Sequence, residues 1–384
     1  MRSAATRSVC LIGALAAAAV GGAAQQRRAT VDPRVGLKPG LRDAGTAARN
    51  MRLVTSLPKP PGFFDPKAPG GTPPPPEPDP NAPPTPDSAA DPTGEAPAPA
   101  APPSTHMNFA NSDFAFTANH AVIGSFHGFN TYDIENPGRP RLAASVVCPG
   151  GQGDVSIYGH LLFVSVEQTR GRLDCGAEGV PEKVSAERFR GIRIFDIRDI
   201  TKPKQIAAVQ TCRGSHTHTL VTNPTDRANV YLYGSGSGPV RAGAELAGCS
   251  NLAPKDDPDT SLFSIDVIQV PLDRPEKAHV VNQPRIFVDE STAAISGLWP
   301  GGDHGPGTQK TSATNHCHDI TVFPQVGLAA GACSGNGILL DISDPVHPVR
   351  LDAVADENFA YWHSATFNNT GTKVIFTDEW GGGT

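Results

Sequence analysis

The chain lacks an apolar segment long enough to cross a membrane. Its longest apolar stretch, Val9 to Val20, is shorter than the roughly 20 residues that a membrane helix needs. Charge is also sparse, since Asp, Glu, Lys and Arg make up 18% of the 384 residues, the net charge is -6, and Lys and Arg form no block. The sequence therefore predicts no transmembrane segment and gives no electrostatic support for a nucleic-acid partner.

The first residues have the features of a secretory signal. Arg2 and Arg7 precede an apolar stretch, and small residues follow it up to Ala24. We expect residues 1–24 to be a signal peptide and the rest of the chain to be exported, to the periplasm or out of the cell. Cys10 lies at the start of the apolar stretch instead of following it, so a lipoprotein signal is not expected.

Proline is concentrated in one segment, residues 58–104, which includes TPPPPEPDPNAPPTP at 72–86. With so little apolar material to bury, this segment is predicted to be an extended linker that favours polyproline II. An SH3-type ligand role is the less favoured interpretation in an exported chain. The linker separates an N-terminal segment, 25–57, from the region 105–384. Within that N-terminal segment, RLVTSL at 52–57 is a possible closing strand for the repeats described next.

One pattern occurs four times after the linker. Each copy is a β-type run that closes on Asp-Ile or Asp-Val, followed by a proline turn and a second β-type run. The copies are GFNTYDIENPGRPRL from Gly128, GIRIFDIRDITKPKQI from Gly191, SLFSIDVIQVPLDRPEKA from Ser261 and GNGILLDISDPVHPVRL from Gly335. Such a repeat indicates one supersecondary unit that is stacked several times to build a continuous core.

This pattern resembles the LVIVD-repeat family of β-propeller proteins, of the secreted bacterial type. The resemblance covers residues 106–384 and implies an all-β propeller of four-stranded blades, about seven in the family. The chain accommodates four complete blades and a partial fifth, so we expect it to be truncated at its C terminus and monomeric at full length. The alternative is a short protein that closes by dimerisation. Members of the family are mostly of unassigned role.

The blade layout gives each unit four strands, with the Asp-Ile turn between the third and the fourth. The units are predicted at Asp113–Val147, Asp154–Thr211, His218–Phe287 and His318–Val354, with a fifth from His363. All three long insertions, 170–190, 239–260 and 288–314, then fall on one face. Loops that a rigid scaffold positions are where function is usually found.

The cysteines fit the same layout. Cys10 lies in the signal segment, and the other six are an even number in an oxidising compartment. The propeller layout selects three local pairs, Cys148–Cys175, Cys212–Cys249 and Cys317–Cys333, which would fix the insertions. Thiolate metal ligands or a redox pair are disfavoured because the sequence has no CxxC motif.

The predicted innermost strands begin with polar residues that would ring the mouth of a central channel. They are Asp113, Asp154, His218, His318 and His363. Strand alternation adds His216 and His316 on the same side, and Glu167 and Glu379 end neighbouring strands. Imidazole and carboxylate groups that converge suit a divalent transition metal such as zinc, copper or iron. The alternative, which repetition alone predicts, is a structural ring that hydrogen-bonds one blade to the next.

The sequence thus favours an exported binding or scaffolding module that acts through its loop-rich face on a protein, glycan or small-molecule partner. The alternative function is a metal-dependent enzyme, a hydrolase or an oxidoreductase, at the channel mouth. Ser156, Ser215 and Ser364 lie near histidines but in no GxSxG motif, so serine hydrolysis is disfavoured.

Overall fold

The computed structural model describes residues 32–40, 43–67, 109–303, 310–311, 313–356, 359 and 361–379. The predicted signal peptide lies outside these ranges, and so does the predicted linker beyond residue 67. The chain divides into two compact units, residues 1–54 and 55–384. The described residues of the first unit form turns and irregular segments without a strand.

The second unit is all-β, and each sheet is antiparallel with its strands paired in chain order. The first sheet contains β1 (Asn111–Phe116), β2 (His120–Ser125), β3 (Gly128–Asp133) and β4 (Arg141–Val147). The second sheet contains β5 (Val155–Tyr158), β6 (Leu161–Val166), β7 (Gly191–Asp196) and β8 (Lys204–Gln210).

The remaining sheets repeat this order. The third contains β9 (His218–Asn223), β10 (Asp226–Gly234), β11 (Asp266–Pro271) and β12 (His279–Asn282), and a small pair, β13 (Gly302–Asp303) and β14 (Lys310–Thr311), follows. The fourth contains β15 (Asp319–Phe323), β16 (Leu328–Cys333), β17 (Asn336–Asp341) and β18 (Val349–Val354), and the fifth has β19 (Trp362–Phe367) and β20 (Val374–Asp378). The helical segments among the described residues are two short 3₁₀ turns, Pro275–Lys277 and Pro324–Val326. In this part of the chain no helix is long and apolar enough to span a membrane.

Consecutive sheets contact each other through their first strands. β1 lies against β5, β5 against β9, β9 against β15, and β15 against β19. An apolar cluster fills each of these interfaces; between the first two sheets, the rings of Phe129 and Phe195 meet edge to face at 4.9 Å around Leu162. Such burial stabilises the fold by about 25 cal/mol for each Å² of apolar surface removed from water.

The aspartate of the repeated pattern closes the turn after the third strand. The Oδ1 atoms of Asp133, Asp196 and Asp341 accept the backbone N–H two residues later, at 3.0, 2.9 and 2.8 Å. This local bond is the Asx turn that aspartate side chains form readily. It explains why three copies of the pattern carry the same residue at the same place.

The third copy departs from the predicted register. Asp266 begins β11 instead of ending it, and the strand continues to Pro271. Leu272 then donates its N–H to the carbonyl of Ala228, as Ile134 does to Asn119 in the first sheet. The prediction that this β-run closes at Asp266 is therefore wrong, because that aspartate is buried and accepts a 2.7 Å hydrogen bond from Gln283 instead of making a turn.

The segment before the proline-rich stretch pairs with none of the described sheets, since residues 51–60 form no strand. The closing strand at 52–57 would belong to the last blade of a complete ring and stays a prediction. Residues predicted to begin the linker pack on the first sheet instead, since Phe63 is 0% exposed and its ring meets that of His127 edge-on at 5.9 Å. The aromatic ring of Phe63 gives this stretch a large apolar surface to bury.

The structure contains the three predicted disulfides, Cys148–Cys175, Cys212–Cys249 and Cys317–Cys333, and they indicate an oxidising compartment. Buried arginines join the insertions further. Arg188 of the first insertion pairs with Glu245 of the second, and both side chains are buried. Arg190 donates to the carbonyl of Pro239 at 2.6 Å. The insertions are therefore tied to one another and to the sheets.

We expect the double variant Cys212→Ser/Cys249→Ser to lose about 2–4 kcal/mol of unfolding free energy, because it frees a long loop in the unfolded chain. Urea denaturation under non-reducing conditions would measure the loss, with the wild type in reductant as the control. An unchanged midpoint would contradict a stabilising role for this bridge.

Candidate metal site

Three of the predicted ligands converge between the fourth and fifth sheets. One ligand atom from each of His318, His363 and Glu379 lies within 4.8 Å of the others. The rings of His318 and His363 are 4.0 Å apart between centroids, and His363 Nε2 lies 3.6 Å from Glu379 Oε2. His318 immediately precedes β15, His363 lies in β19, and Glu379 directly follows β20. The site is thus assembled from two neighbouring sheets.

Hydrogen bonding orients the imidazole of His318. Its Nδ1 lies 2.9 Å from the carbonyl oxygen of His363, so Nδ1 carries the proton and Nε2 is the nitrogen that can accept a metal. Burial, followed by the neighbouring His216 and His363, lowers the pKa of His318 to about 3. This imidazole is therefore neutral across the physiological range, as a metal ligand must be.

His216 and Glu167 form a hydrogen-bonded pair next to this group. His216 Nδ1 donates to Glu167 Oε2 at 2.6 Å, and the His216 ring lies 4.5 Å from that of His318. Burial alone would raise the pKa of Glu167, but His216 holds it below its usual value. The pair therefore places a carboxylate and a third imidazole beside the three ligands.

His316 occupies a different environment. Its Nδ1 donates to Asn315 Oδ1 at 2.6 Å, and its Nε2 accepts from the hydroxyl of Tyr361 at 3.2 Å. Burial, with Arg213 nearby, lowers the pKa of His316 well below its usual value. Both ring nitrogens are engaged, so His316 supports its neighbours instead of offering a ligand atom.

His218 connects the second and third sheets. Its side chain is 0% exposed. Its Nε2 accepts from the Ser156 hydroxyl at 2.7 Å, and its Nδ1 faces Ser165 Oγ at 2.9 Å and Asp154 Oδ2 at 3.0 Å. Asp154 also accepts the His218 backbone N–H at 2.8 Å. The spacing resembles a Ser–His–Asp triad, but the imidazole is fully buried and both of its nitrogens contact side chains of the neighbouring sheet, so this residue fits the structural ring.

Asp113 and Asp154 continue the same network toward the first sheet. Burial and the hydrogen bond to Asp154 raise the pKa of Asp113 to about 6. Burial and the charge of Asp154 likewise raise the pKa of Asp319 to about 6. The predicted ring therefore divides into an inter-sheet network of Asp113, Asp154 and His218 and a separate group around His318.

Sequence reasoning missed Asp319 and Tyr361. Asp319 directly follows His318 and begins β15, and because strand alternation predicts that neighbouring residues point to opposite sides, it was not counted with His318. Tyr361 lies two residues before His363 and contacts His316 through its hydroxyl, and burial, followed by Glu379, raises its pKa to about 12. Nothing in the repeated pattern indicates a tyrosine there. Trp362, by contrast, is buried in the core between the fourth and fifth sheets.

No protein-family model and no curated protein sequence matches this chain. Solved structures are similar over most of its length. One is a functionally unknown protein from Desulfotomaculum acetoxidans, with 11% identity and a TM-score of 0.41, covering 71% of this chain and 64% of that one. Another is a hypothetical selenium-binding protein from Sulfolobus tokodaii, with 12% identity and a TM-score of 0.42, covering 70% of this chain and 57% of that one. The chain thus spans less than two thirds of these proteins.

We expect Ser156→Ala to lower the unfolding free energy by about 1–3 kcal/mol, because it leaves the buried Nε2 of His218 without a donor. Chemical denaturation measures the change. Thr377→Ala is the matched control, since the Ser364–Thr377 hydrogen bond has the same 2.7 Å length but is exposed, and its cost is expected to stay within about 0.5 kcal/mol. Equal losses of unfolding free energy in the two variants would contradict the role of His218 in connecting the second and third sheets.

The raised pKa of Asp113 predicts a pH-dependent stability. The stability due to its protonated form is complete below the usual aspartate pKa of 3.8 and is lost as the pH rises through about 6. Asp113→Asn keeps a hydrogen-bond donor without the charge, so its stability relative to wild type is expected to be higher at pH 7.5 than at pH 5. Urea midpoints at the two pH values test this, with the exposed Glu135→Gln as control. An identical difference at both values would contradict the raised pKa.

Proposed function

We propose that this chain is a β-propeller protein that binds a divalent transition metal, zinc, copper or iron, through His318, His363 and Glu379. The observation that carries the proposal is the convergence of one ligand atom from each of these residues within 4.8 Å. Two imidazoles and one carboxylate are the ligand set of several catalytic zinc sites, which keep the fourth tetrahedral position for water. A hydrolytic or oxidative activity would use that open position.

The propeller architecture is part of the proposal. Support comes from the repeated four-stranded antiparallel sheets and from the succession of contacts between first strands, β1 to β5, β5 to β9, β9 to β15 and β15 to β19. In a propeller these innermost strands surround a central channel. His318 and His363 lie at the beginnings of β15 and β19, and Glu379 directly follows β20. In a propeller these strand beginnings would line the channel mouth on the loop-rich face.

Export is the expected location of this function. The disulfides are consistent with an oxidising compartment, and the signal-like sequence at 1–24 supplies a route. A protein outside the cytoplasm would acquire its metal there or before export.

A second candidate function is that of a binding or scaffolding module, which acts through the loop-rich face that carries the long insertions. The ties between insertions favour it, because Arg188–Glu245 and Arg190–Pro239 hold two long loops in one arrangement. A preorganised loop surface binds a partner at a lower ordering cost. This role needs no metal, so metal analysis separates the two candidates.

Elemental analysis of the tag-free protein should find about one equivalent of zinc, copper or iron if three protein ligands define a single site. His318→Ala/His363→Ala/Glu379→Gln should retain less than about a tenth of that amount, because no ligand of the group remains. The control is His279→Ala/His347→Ala, which changes two exposed histidines elsewhere.

Equal metal content in the parent and the triple variant would overturn the metal site, as would absence of metal from both after incubation with each ion. Circular dichroism would establish that the triple variant is folded. The second outcome would leave the loop-rich face as the functional surface.

A further inference from the structure

The Cys317–Cys333 disulfide lies directly beside the candidate metal site. Cys317 immediately precedes the ligand His318, and Cys333 is the last residue of β16 in the same sheet. Both cysteines are 0% exposed, and they belong to the apolar cluster between the third and fourth sheets. The disulfide therefore fixes the backbone that carries His318 relative to the end of β16.

The residue after Cys333 reaches the fifth sheet. The carbonyl of Ser334 accepts the N–H of Trp362 at 2.7 Å, and these two residues form an isolated β-bridge. Ser334 is 0% exposed and has a φ of 50°, a left-handed conformation that residues other than glycine keep only where their surroundings fix it. The turn after Cys333 is therefore held in the conformation that bonds to β19.

The bridge to β19 ends at the other two ligands. His363 directly follows Trp362, and Glu379 donates its backbone N–H to the carbonyl of Tyr361 at 2.9 Å. The hairpin of β19 and β20 thus holds both ligands as one unit. A continuous path of covalent bonds and one hydrogen bond connects the fourth sheet to this hairpin, and it runs through His318, Cys317, Cys333, Ser334, Trp362 and His363.

This path bears on metal affinity because the ligands come from two sheets. Binding an ion includes the cost of bringing its ligands together, and that cost falls when the ligands are already held in place. The hydrogen bond from His318 Nδ1 to the His363 carbonyl, at 2.9 Å, spans the same interface and depends on both backbones keeping their positions. Loss of groups that orient metal ligands typically weakens metal binding about 10–100-fold.

We propose that the Cys317–Cys333 disulfide positions the ligands of the candidate metal site, so that the chain binds its metal tightly only after this disulfide has formed. The inference rests on the proposed metal site. In the required step the two thiols lose two protons and two electrons to a disulfide oxidant, which is reduced to two thiols by exchange. Such oxidation occurs outside the cytoplasm, so metal loading follows export.

Zinc affinity of the purified protein, measured by competition with a chromophoric chelator, tests this. Cys317→Ala/Cys333→Ala should bind zinc at least about tenfold more weakly than wild type. The matched control is Cys212→Ala/Cys249→Ala, which removes a disulfide of larger sequence separation, 37 residues against 16. The control should lose at least as much unfolding free energy and keep the wild-type zinc affinity. Circular dichroism checks that each variant is folded.

A second measurement uses the wild type and does not depend on the folding of a variant. By linkage, zinc stabilises the disulfide by the same factor by which the disulfide tightens zinc binding. In a glutathione buffer with free zinc that saturates both redox forms, the ratio [GSH]²/[GSSG] that half-reduces Cys317–Cys333 should rise at least about tenfold over zinc-free buffer. Thiol alkylation and peptide mass spectrometry measure this ratio, and Cys212–Cys249 is the internal control.

Equal or tighter zinc binding by Cys317→Ala/Cys333→Ala would overturn the positioning role and leave the metal site in place. An equal loss of affinity in both disulfide variants, or an unchanged glutathione ratio, would do the same. A wild type that binds zinc no more tightly than His318→Ala/His363→Ala/Glu379→Gln would instead overturn the metal site and this inference with it.

Discussion

Packing of each sheet against the next through its first strand is the constraint on which the rest of the structure depends. A single four-stranded sheet cannot bury both faces, so each relies on its neighbours for a core. The clusters around Phe129 and Phe195, and around Tyr233 and Ile320, supply this burial. The polar contacts at the beginnings of the first strands, such as Ser156 with His218, complete the same interfaces. The side chains of the candidate metal site are positioned because these strands are held in register.

Much of this arrangement could be predicted from the sequence, because repetition makes each copy evidence for the others. The sheets begin and end within a few residues of the predicted units, and the three disulfides form as paired. The predicted end of the third strand was wrong in the third copy. The letters SIDV match the repeated pattern there, but the end of this strand in the other copies is marked by the Asx turn, which Asp266 does not make. There, Leu272 takes the place of the isoleucine that follows the aspartate elsewhere. Sequence similarity aligned Val267 with these isoleucines, but Leu272 is the residue that makes the corresponding backbone hydrogen bond.

The histidines show a different limit. Alignment of first strands gave His218, His318 and His363 the same position, but the structure gives them different surroundings. His218 meets serines and a carboxylate of the preceding sheet, while His318 faces another imidazole. The difference arises from residues on adjacent strands, which a single aligned column does not contain. The structural ring thus accounts for His218, while the ligand group stays a proposal for His318 and His363.

The division of the ligand group between two sheets has a mechanical consequence. His318 belongs to the fourth sheet, and His363 and Glu379 belong to the hairpin of β19 and β20. An ion held by all three would act as a non-covalent cross-link, so its affinity would include the work of docking that hairpin, and its removal would release the hairpin first. The order in which the chain loosens on heating would then depend on the free metal concentration around it.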